Sequence, residues 1–135
     1  MSKKIENLLE IKDLKVCFQT ENGLVQALRN VSFEVRQGEV LALVGESGCG
    51  KSTLGRTLIR LLPETSGEAY LGGESIFAKD GKELKQLRRR MQIIFQDPVG
   101  SLNPRMPISD IVGEGLKAQA DDENQWGKRS VRDKR

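Results

Sequence analysis

The chain has 135 residues, of which 37% are hydrophobic, 30% charged and 4% aromatic, and its formal net charge is +3. That length suits one domain, and ordinary hydrophobic content with 14 glycines and 4 prolines excludes a collagen-like or wholly disordered chain. The absence of histidine removes Ser-His and Cys-His catalysis and histidine-ligated metals together.

No apolar run approaches the ~20 residues that span a bilayer. The longest, Val40 to Val44, has the length of a strand. The N-terminus, Met1-Ser2-Lys3-Lys4-Ile5-Glu6-Asn7, meets an acid before any apolar stretch, unlike a secretory signal. Cys17 and Cys49 are spaced neither as metal ligands nor as a redox pair and read as reduced thiols. Positive charge clusters in Lys82 to Arg90 and in Lys128 to Arg135. The first cluster has no interleaved aromatic residue and the second has only Trp126 nearby, so both read as solvated helix faces, with no direct nucleic-acid contact expected.

In chain order, Leu9, Ile11, Leu14, Val16 and Phe18 predict a strand whose phase slips near Asp13, as at a bulge. Glu21-Asn22-Gly23 is turn chemistry, and Val25 to Val35 alternates again through Val31, Phe33 and Val35. After Gln37-Gly38, the continuous run Val40-Leu41-Ala42-Leu43-Val44 predicts a strand buried on both faces. Lys51 to Leu62 predicts a helix with Leu54, Leu58, Leu61 and Leu62 on one face, ended by Pro63. Short strand material over Gly67 to Phe77 is broken by Gly72-Gly73. A charged helix over Lys82 to Arg90 follows, then an apolar strand through Met91, Ile93, Ile94 and Phe95. Gln96 to Pro107 reads as a loop and Ile108 to Gln119 as a helix. Asp121 to Arg135 is too charged for Trp126 and Val131 to anchor a helix.

Between the predicted buried strand and the first helix lies Gly45-Glu46-Ser47-Gly48-Cys49-Gly50-Lys51-Ser52, a complete G-x-x-x-x-G-K-[ST] motif. Gly45, Gly48 and Gly50 let the backbone curl so that successive N–H groups face an anionic phosphate. The start of the helix adds the positive end of its dipole. Lys51 would reach the β- and γ-phosphates, the Ser52 hydroxyl would ligate Mg²⁺, and Thr53 would contact the α-phosphate.

The run Val44-Gly-Glu-Ser-Gly-Cys-Gly-Lys-Ser-Thr53 resembles the Walker A motif of ATP-binding cassette (ABC) transporter ATPases. Ile94-Phe95-Gln96-Asp97-Pro98 resembles that family's Q-loop. Ser101-Leu102-Asn103-Pro104-Arg105-Met106 resembles the oligopeptide, dipeptide and nickel importer subfamily in particular. The resemblance covers Leu8 to Gln119. It implies an α/β fold: a P-loop NTPase (RecA-like) core with an N-terminal antiparallel β subdomain, reaching the start of the helical subdomain. The implied division is 1–38 for the β subdomain, 39–97 for the P-loop core and 98–135 for the Q-loop and first helical segment.

By the same resemblance the ligands are ATP and Mg²⁺. ATP would bind at Gly45, Glu46, Ser47, Gly48, Cys49, Gly50, Lys51, Ser52 and Thr53, with Lys51 and Gln96 catalytic and Mg²⁺ at Ser52 and Gln96. Phe18 falls where the family places an aromatic residue, often Tyr, against adenine; the competing reading is an inward strand residue in the core. The implied function is ATP binding that powers import of peptides or related solutes. The implied partners are membrane subunits, met through the loop 97–107, and a second ATPase subunit. The implied location is cytoplasmic, peripheral on the inner face of the plasma membrane.

The family's signature motif, Walker B Asp-Glu pair, D-loop and switch histidine fall beyond residue 135, so the expectation is the N-terminal part of such an ATPase, inactive alone. Asp97 follows Gln96 and opens a loop, so it is not read as a Walker B carboxylate. The alternative is a non-hydrolysing nucleotide-binding regulatory or interaction module, or an inactive fragment. A small P-loop kinase or GTPase would need Asp97 as a metal ligand, and a GTPase also an Asn-Lys-x-Asp motif, which the chain lacks. A nucleic-acid-associated ABC ATPase is disfavoured by the importer-like segment Ser101 to Met106.

Overall fold

Two β-rich stretches near the N-terminus form one long hairpin in the computed structural model, which describes residues 7–119. The N-terminal Met1 to Glu6 and the charged stretch Asp121 to Arg135, with its basic cluster, Trp126 and Val131, lie outside the described residues. β1 spans Asn7–Thr20 and β2 Gly23–Arg36, antiparallel, with Thr20 Oγ1 donating to the Gly23 carbonyl at 2.7 Å across the turn. β3 (Ser66–Leu71) pairs with the other edge of β1, and β4 (Glu74–Ser75) pairs with β3 after the Gly72-Gly73 turn. The sheet order is β2-β1-β3-β4, antiparallel throughout.

The phase slip expected near Asp13 is present. Ile11 pairs with Phe33 but Leu14 with Val31, so β1 carries one extra residue there, and the β1–β3 register shifts between Lys12 and Lys15 at the same point. Asp13 takes a left-handed φ of 48°, and its freed N–H donates to Ser32 Oγ at 2.8 Å. The bulge pushes the β1 backbone against Gly67, where a Cβ would lie 2.6 Å from both the Asp13 carbonyl oxygen and Leu14 Cα. Its effect is to turn Ile11, Leu14 and Val16 all inward, at 1%, 0% and 0% exposure.

Helices cover this inner face. α1 (Lys51–Leu58) buries Leu54 and Leu58, and α2 (Gly81–Arg90) buries Leu87. These join Ile11, Leu14, Val16, Leu28, Ala69, Leu71 and Ile76 in one core. Burying such a leucine or isoleucine contributes about 1.5–3 kcal/mol, which makes this cluster the main source of stability. On the outer face of the sheet Lys12 pairs with Glu10 at 2.9 Å and sits 5.4 Å from the Tyr70 ring centre. The Glu10 carboxylate raises the Lys12 pKa, and the hydrogen bond to Glu68 raises that of Tyr70.

Three expectations are corrected. The predicted buried strand Val40 to Val44 is irregular, with Val40 95% and Val44 93% exposed. The predicted strand from Met91 to Phe95 is also irregular, and Ile94 is 94% exposed. A strand is held by neighbours on its edges, and every strand among the described residues is committed to the antiparallel sheet. The third correction is the end of α1 at Leu58 rather than Leu62. Arg60 enters the left-handed region at φ 61°. Leu61 N–H donates to Arg56 O at 2.8 Å and Arg60 N–H to Thr57 O at 3.0 Å, a Schellman closure that turns the chain before Pro63 is reached.

The basic cluster at the end of α2 works inside the fold. Arg88 donates from Nε to Ile59 O and from Nη2 to Arg60 O, both at 3.0 Å, capping carbonyls at the C-terminus of α1. Arg90 pairs with Glu74 at 3.4 Å, and Lys79 meets the same carboxylate at 2.9 Å. The Lys79 contact, then the Arg90 charge, hold the Glu74 carboxyl below its usual pKa.

A first compact unit runs to Ile93 and a second begins at Ile94. In the second, Asp97 Oδ1 accepts from Gly100 N–H at 2.9 Å and Ser101 Oγ donates to Pro98 O at 2.8 Å, shaping a loop that leads to α3 (Ile108–Gln119). Ile108, Val112 and Leu116, four residues apart on α3, are exposed. No helix among the described residues is long and apolar enough to cross a membrane.

Gly67→Ala is expected to destabilise the protein by about 2 kcal/mol or more beyond Gly73→Ala. Both positions have left-handed φ, which alone costs about 1 kcal/mol, but only Gly67 meets backbone atoms. Thermal unfolding of the two variants followed by circular dichroism measures the difference.

Candidate functional site

The glycine-rich loop sits between β2 and α1, and its shape follows from two left-handed glycines. Gly48 has φ 80° and Gly50 φ 102°. Gly50 is the N-cap of α1, and its carbonyl accepts the first helical bond, from Leu54 N–H at 2.9 Å. A Cβ on residue 50 would lie 2.6 Å from the Ala27 carbonyl oxygen and 2.9 Å from Leu28 Cδ2, so the loop rests directly on β2. Only glycine satisfies both the dihedral and the contact.

No side chain caps the first turn of α1 and no acid lies in it, so the helix N–H groups keep their electropositive character. Inside the loop, Lys51 Nζ donates to Gly45 O at 2.6 Å and Glu46 O at 2.8 Å, and lies 3.3 Å from Cys49 Sγ. Cys49 N–H donates back to Glu46 O at 3.3 Å and closes the turn through Ser47 and Gly48. Ser52 is exposed in the first helical turn, and Thr53, half-buried beside it, accepts from Thr57 Oγ1 through its carbonyl at 2.8 Å. A loop of this form, with an uncapped helix start, one ammonium and one exposed hydroxyl, is chemically suited to a polyphosphate and a divalent cation.

Phe18 is half-buried on β1, opposite Val25, and packs against the core, which fits its competing reading as well as a base-stacking role. Gln96 is exposed in the second unit, within the irregular segment that follows α2. The Asp97 carboxylate is taken up by the Gly100 amide, as its loop reading requires.

Two features escaped the sequence reading. The Ala27–Leu28 wall arises because β2 carries extra residues: Val16 pairs with Leu28 but Cys17 with Gln26, leaving Ala27 without a partner on β1. The spacing of three between Val25, Leu28 and Val31 is the signal that could have revealed it. The Arg88 brace left no signal, because its acceptors are backbone carbonyls 28 and 29 residues away.

The family model described as ABC transporter matches residues 28–134. The oligopeptide transport ATP-binding protein OppF of Bacillus subtilis is 54% identical over 112 residues, which are 82% of this chain and 37% of that protein. OppF of Streptococcus mutans is 44% identical over 117 residues, 86% of this chain and 38% of that one. The chain thus spans well under half the length of these relatives. Among solved structures, a dimeric bacterial ABC transporter cassette superposes with TM-score 0.72 and 26% identity, covering 91% of this chain and 53% of its own. A dimeric post-hydrolysis state of that cassette, bound to ADP and Pi, gives TM-score 0.71 at 26% identity over the same shares of the two chains. These neighbours bear out the expected fold class, a P-loop ATPase with an N-terminal antiparallel β subdomain.

Both cysteines are free thiols, Cys49 exposed and Cys17 half-buried in β1. Maleimide is therefore expected to react with Cys49 first, and Cys49→Ser to leave only slow labelling; mass spectrometry of timed samples reads the order.

Proposed function

The chain belongs to the ABC transporter family, and on that premise we propose that it binds ATP with Mg²⁺ to drive import of peptides or related solutes. One observation carries the nucleotide reading: Gly48 and Gly50, both left-handed, lead into an uncapped helix start, and the Lys51 ammonium lies among the carbonyls of the same loop. The phosphates would lie along Gly45 to Thr53, with Lys51 as the mobile counter-charge. Ser52 and Gln96 offer the neutral oxygens that Mg²⁺ accepts beside phosphate oxygens, and the exposure of both fits that donor set. When bound, Mg²⁺ would neutralise charge on the β- and γ-phosphates. Phe18 would present its ring face to adenine, as its half-exposure on β1 permits.

The peptide-import reading draws on relatives named for oligopeptide transport. In this reading 39–97 forms the nucleotide core, 1–38 contributes the β subdomain, and 98–135 carries the Q-loop and the first helical segment. The loop 97–107 would meet membrane subunits at the inner face of the plasma membrane. A second ATPase subunit would face the nucleotide, as the dimeric cassette suggests. Hydrolysis in a longer member is in-line attack by water on the γ-phosphate, with Lys51 and Gln96 sharing in charge neutralisation and water placement.

Lys51→Ala is expected to weaken Mg-ATP binding at least tenfold in calorimetry while the circular dichroism spectrum keeps its shape. Unchanged affinity would sink the phosphate-loop reading. Phe18→Ala is expected to lose about 1–3 kcal/mol of binding, the range of base–aromatic stacking, with Phe18→Tyr tolerated. A fall in melting temperature without a loss of affinity would assign Phe18 to the core alone.

A further inference from the structure

Two arginines meet at the end of α1 that lies away from the phosphate loop. Arg60 directly follows the C-cap Ile59 and holds a left-handed φ of 61°, a conformation that glycine adopts freely and arginine only at a cost. From there its Nη1 donates to Phe77 O at 2.7 Å, and its Nη2 lies 3.5 Å from Oδ1 of Asp80, the N-cap of α2. Arg88, in the last turn of α2, donates back to Ile59 O and Arg60 O, both at 3.0 Å. Both ends of α2 are thus tied to the same two residues at the end of α1.

Packing beneath α1 does not fix the helix in every direction. Leu54, Thr57 and Leu58 form one buried stripe that sets its depth in the core, and Gly50 blocks its approach to β2. A helix resting on one stripe can still roll about it and slide along its own axis. Bonds at the C-terminus oppose both movements. Because α1 has only eight residues, a roll or slide at that end is carried to Lys51 and Ser52 at the other. We propose that Arg60 and Arg88 are positioning residues for nucleotide, clamping the far end of α1 so that its uncapped N-terminus keeps the arrangement that receives phosphate. The proposal rests on the phosphate-loop reading above and adds to it two residues outside the motif. Arg88 is exposed, so its truncation opens no cavity in the core.

The test compares the full chain with Arg60→Gly, Arg88→Ala and Ile76→Val, the last thinning the core at a fully buried residue outside both helices. Calorimetry gives the Kd for Mg-ATP at a temperature where circular dichroism shows all four proteins folded. Hydrogen exchange without nucleotide reports on the amides of Cys49 and Leu54, which are bonded to Glu46 O and Gly50 O. Arg60→Gly and Arg88→Ala are each expected to bind Mg-ATP about threefold to tenfold more weakly, as the competent arrangement becomes a smaller share of the population. Exchange is expected to quicken at Cys49 and Leu54 and to stay unchanged in β1. Ile76→Val is expected to lower the melting temperature and keep its affinity. A merely structural role predicts otherwise for Arg60→Gly: glycine relieves the left-handed strain, so stability would hold and affinity would not change. Unchanged affinity in either arginine variant, or an equal loss in Ile76→Val, overturns the proposal and leaves the phosphate-loop reading intact. Failure of the unaltered chain to bind Mg-ATP overturns that reading and the proposal with it.

Discussion

Where Gly50 meets the Ala27 carbonyl, the N-cap of α1 lies against β2 at a separation that leaves no room for a Cβ. The phosphate loop is placed by that approach. Beneath it the packing is continuous: Leu28 on β2 and Leu54 and Leu58 on α1 belong to the cluster that Ile11, Leu14 and Val16 fill from β1. The loop cannot move away from the sheet without opening this core, because close-packed interiors resist displacement of even a methyl group. The amides that would face a phosphate thus inherit their position from the sheet.

The far end of α1 is held just as firmly, by charge. Arg60, in a left-handed conformation that residues other than glycine seldom adopt, donates to Phe77 O at 2.7 Å and lies within ion-pair distance of Glu64 and Asp80. Arg88 then caps two carbonyls at the same helix end. Such bonds from a guanidinium are stronger than neutral ones, and they offset the strain of the turn. A helix of eight residues is too short to persist alone in water. α1 therefore owes its stability to its anchored ends and its buried leucines, and the rigidity of the phosphate loop follows from theirs.

Within the loop itself the lysine is bonded to the backbone that curls around it. Backbone curvature at the left-handed Gly48 and Gly50 leads into a helix start that no side chain caps. The carbonyls of Gly45 and Glu46 and the Cys49 thiol meanwhile hold the cation that an anion would attract.

Local chemistry was legible in the amino-acid sequence. The glycine spacing and Lys51-Ser52 identified the phosphate loop, alternation located β1 and β2, and the slip near Asp13 marked the bulge, because each is written within a few consecutive residues. Pairing was not legible. Val40 to Val44 and Met91 to Phe95 have the composition of buried strands, yet composition cannot state which edge a strand will meet, and among the described residues neither finds one. The early end of α1, the fit of Gly67 over the Asp13 bulge and the seating of Gly50 on Ala27 are likewise contacts between residues distant in the chain. By itself the sequence determined which groups make up the glycine-rich loop and the helix start that follows it; only the tertiary structure decided where they are held, because register and close approach exist only once separate segments are packed together.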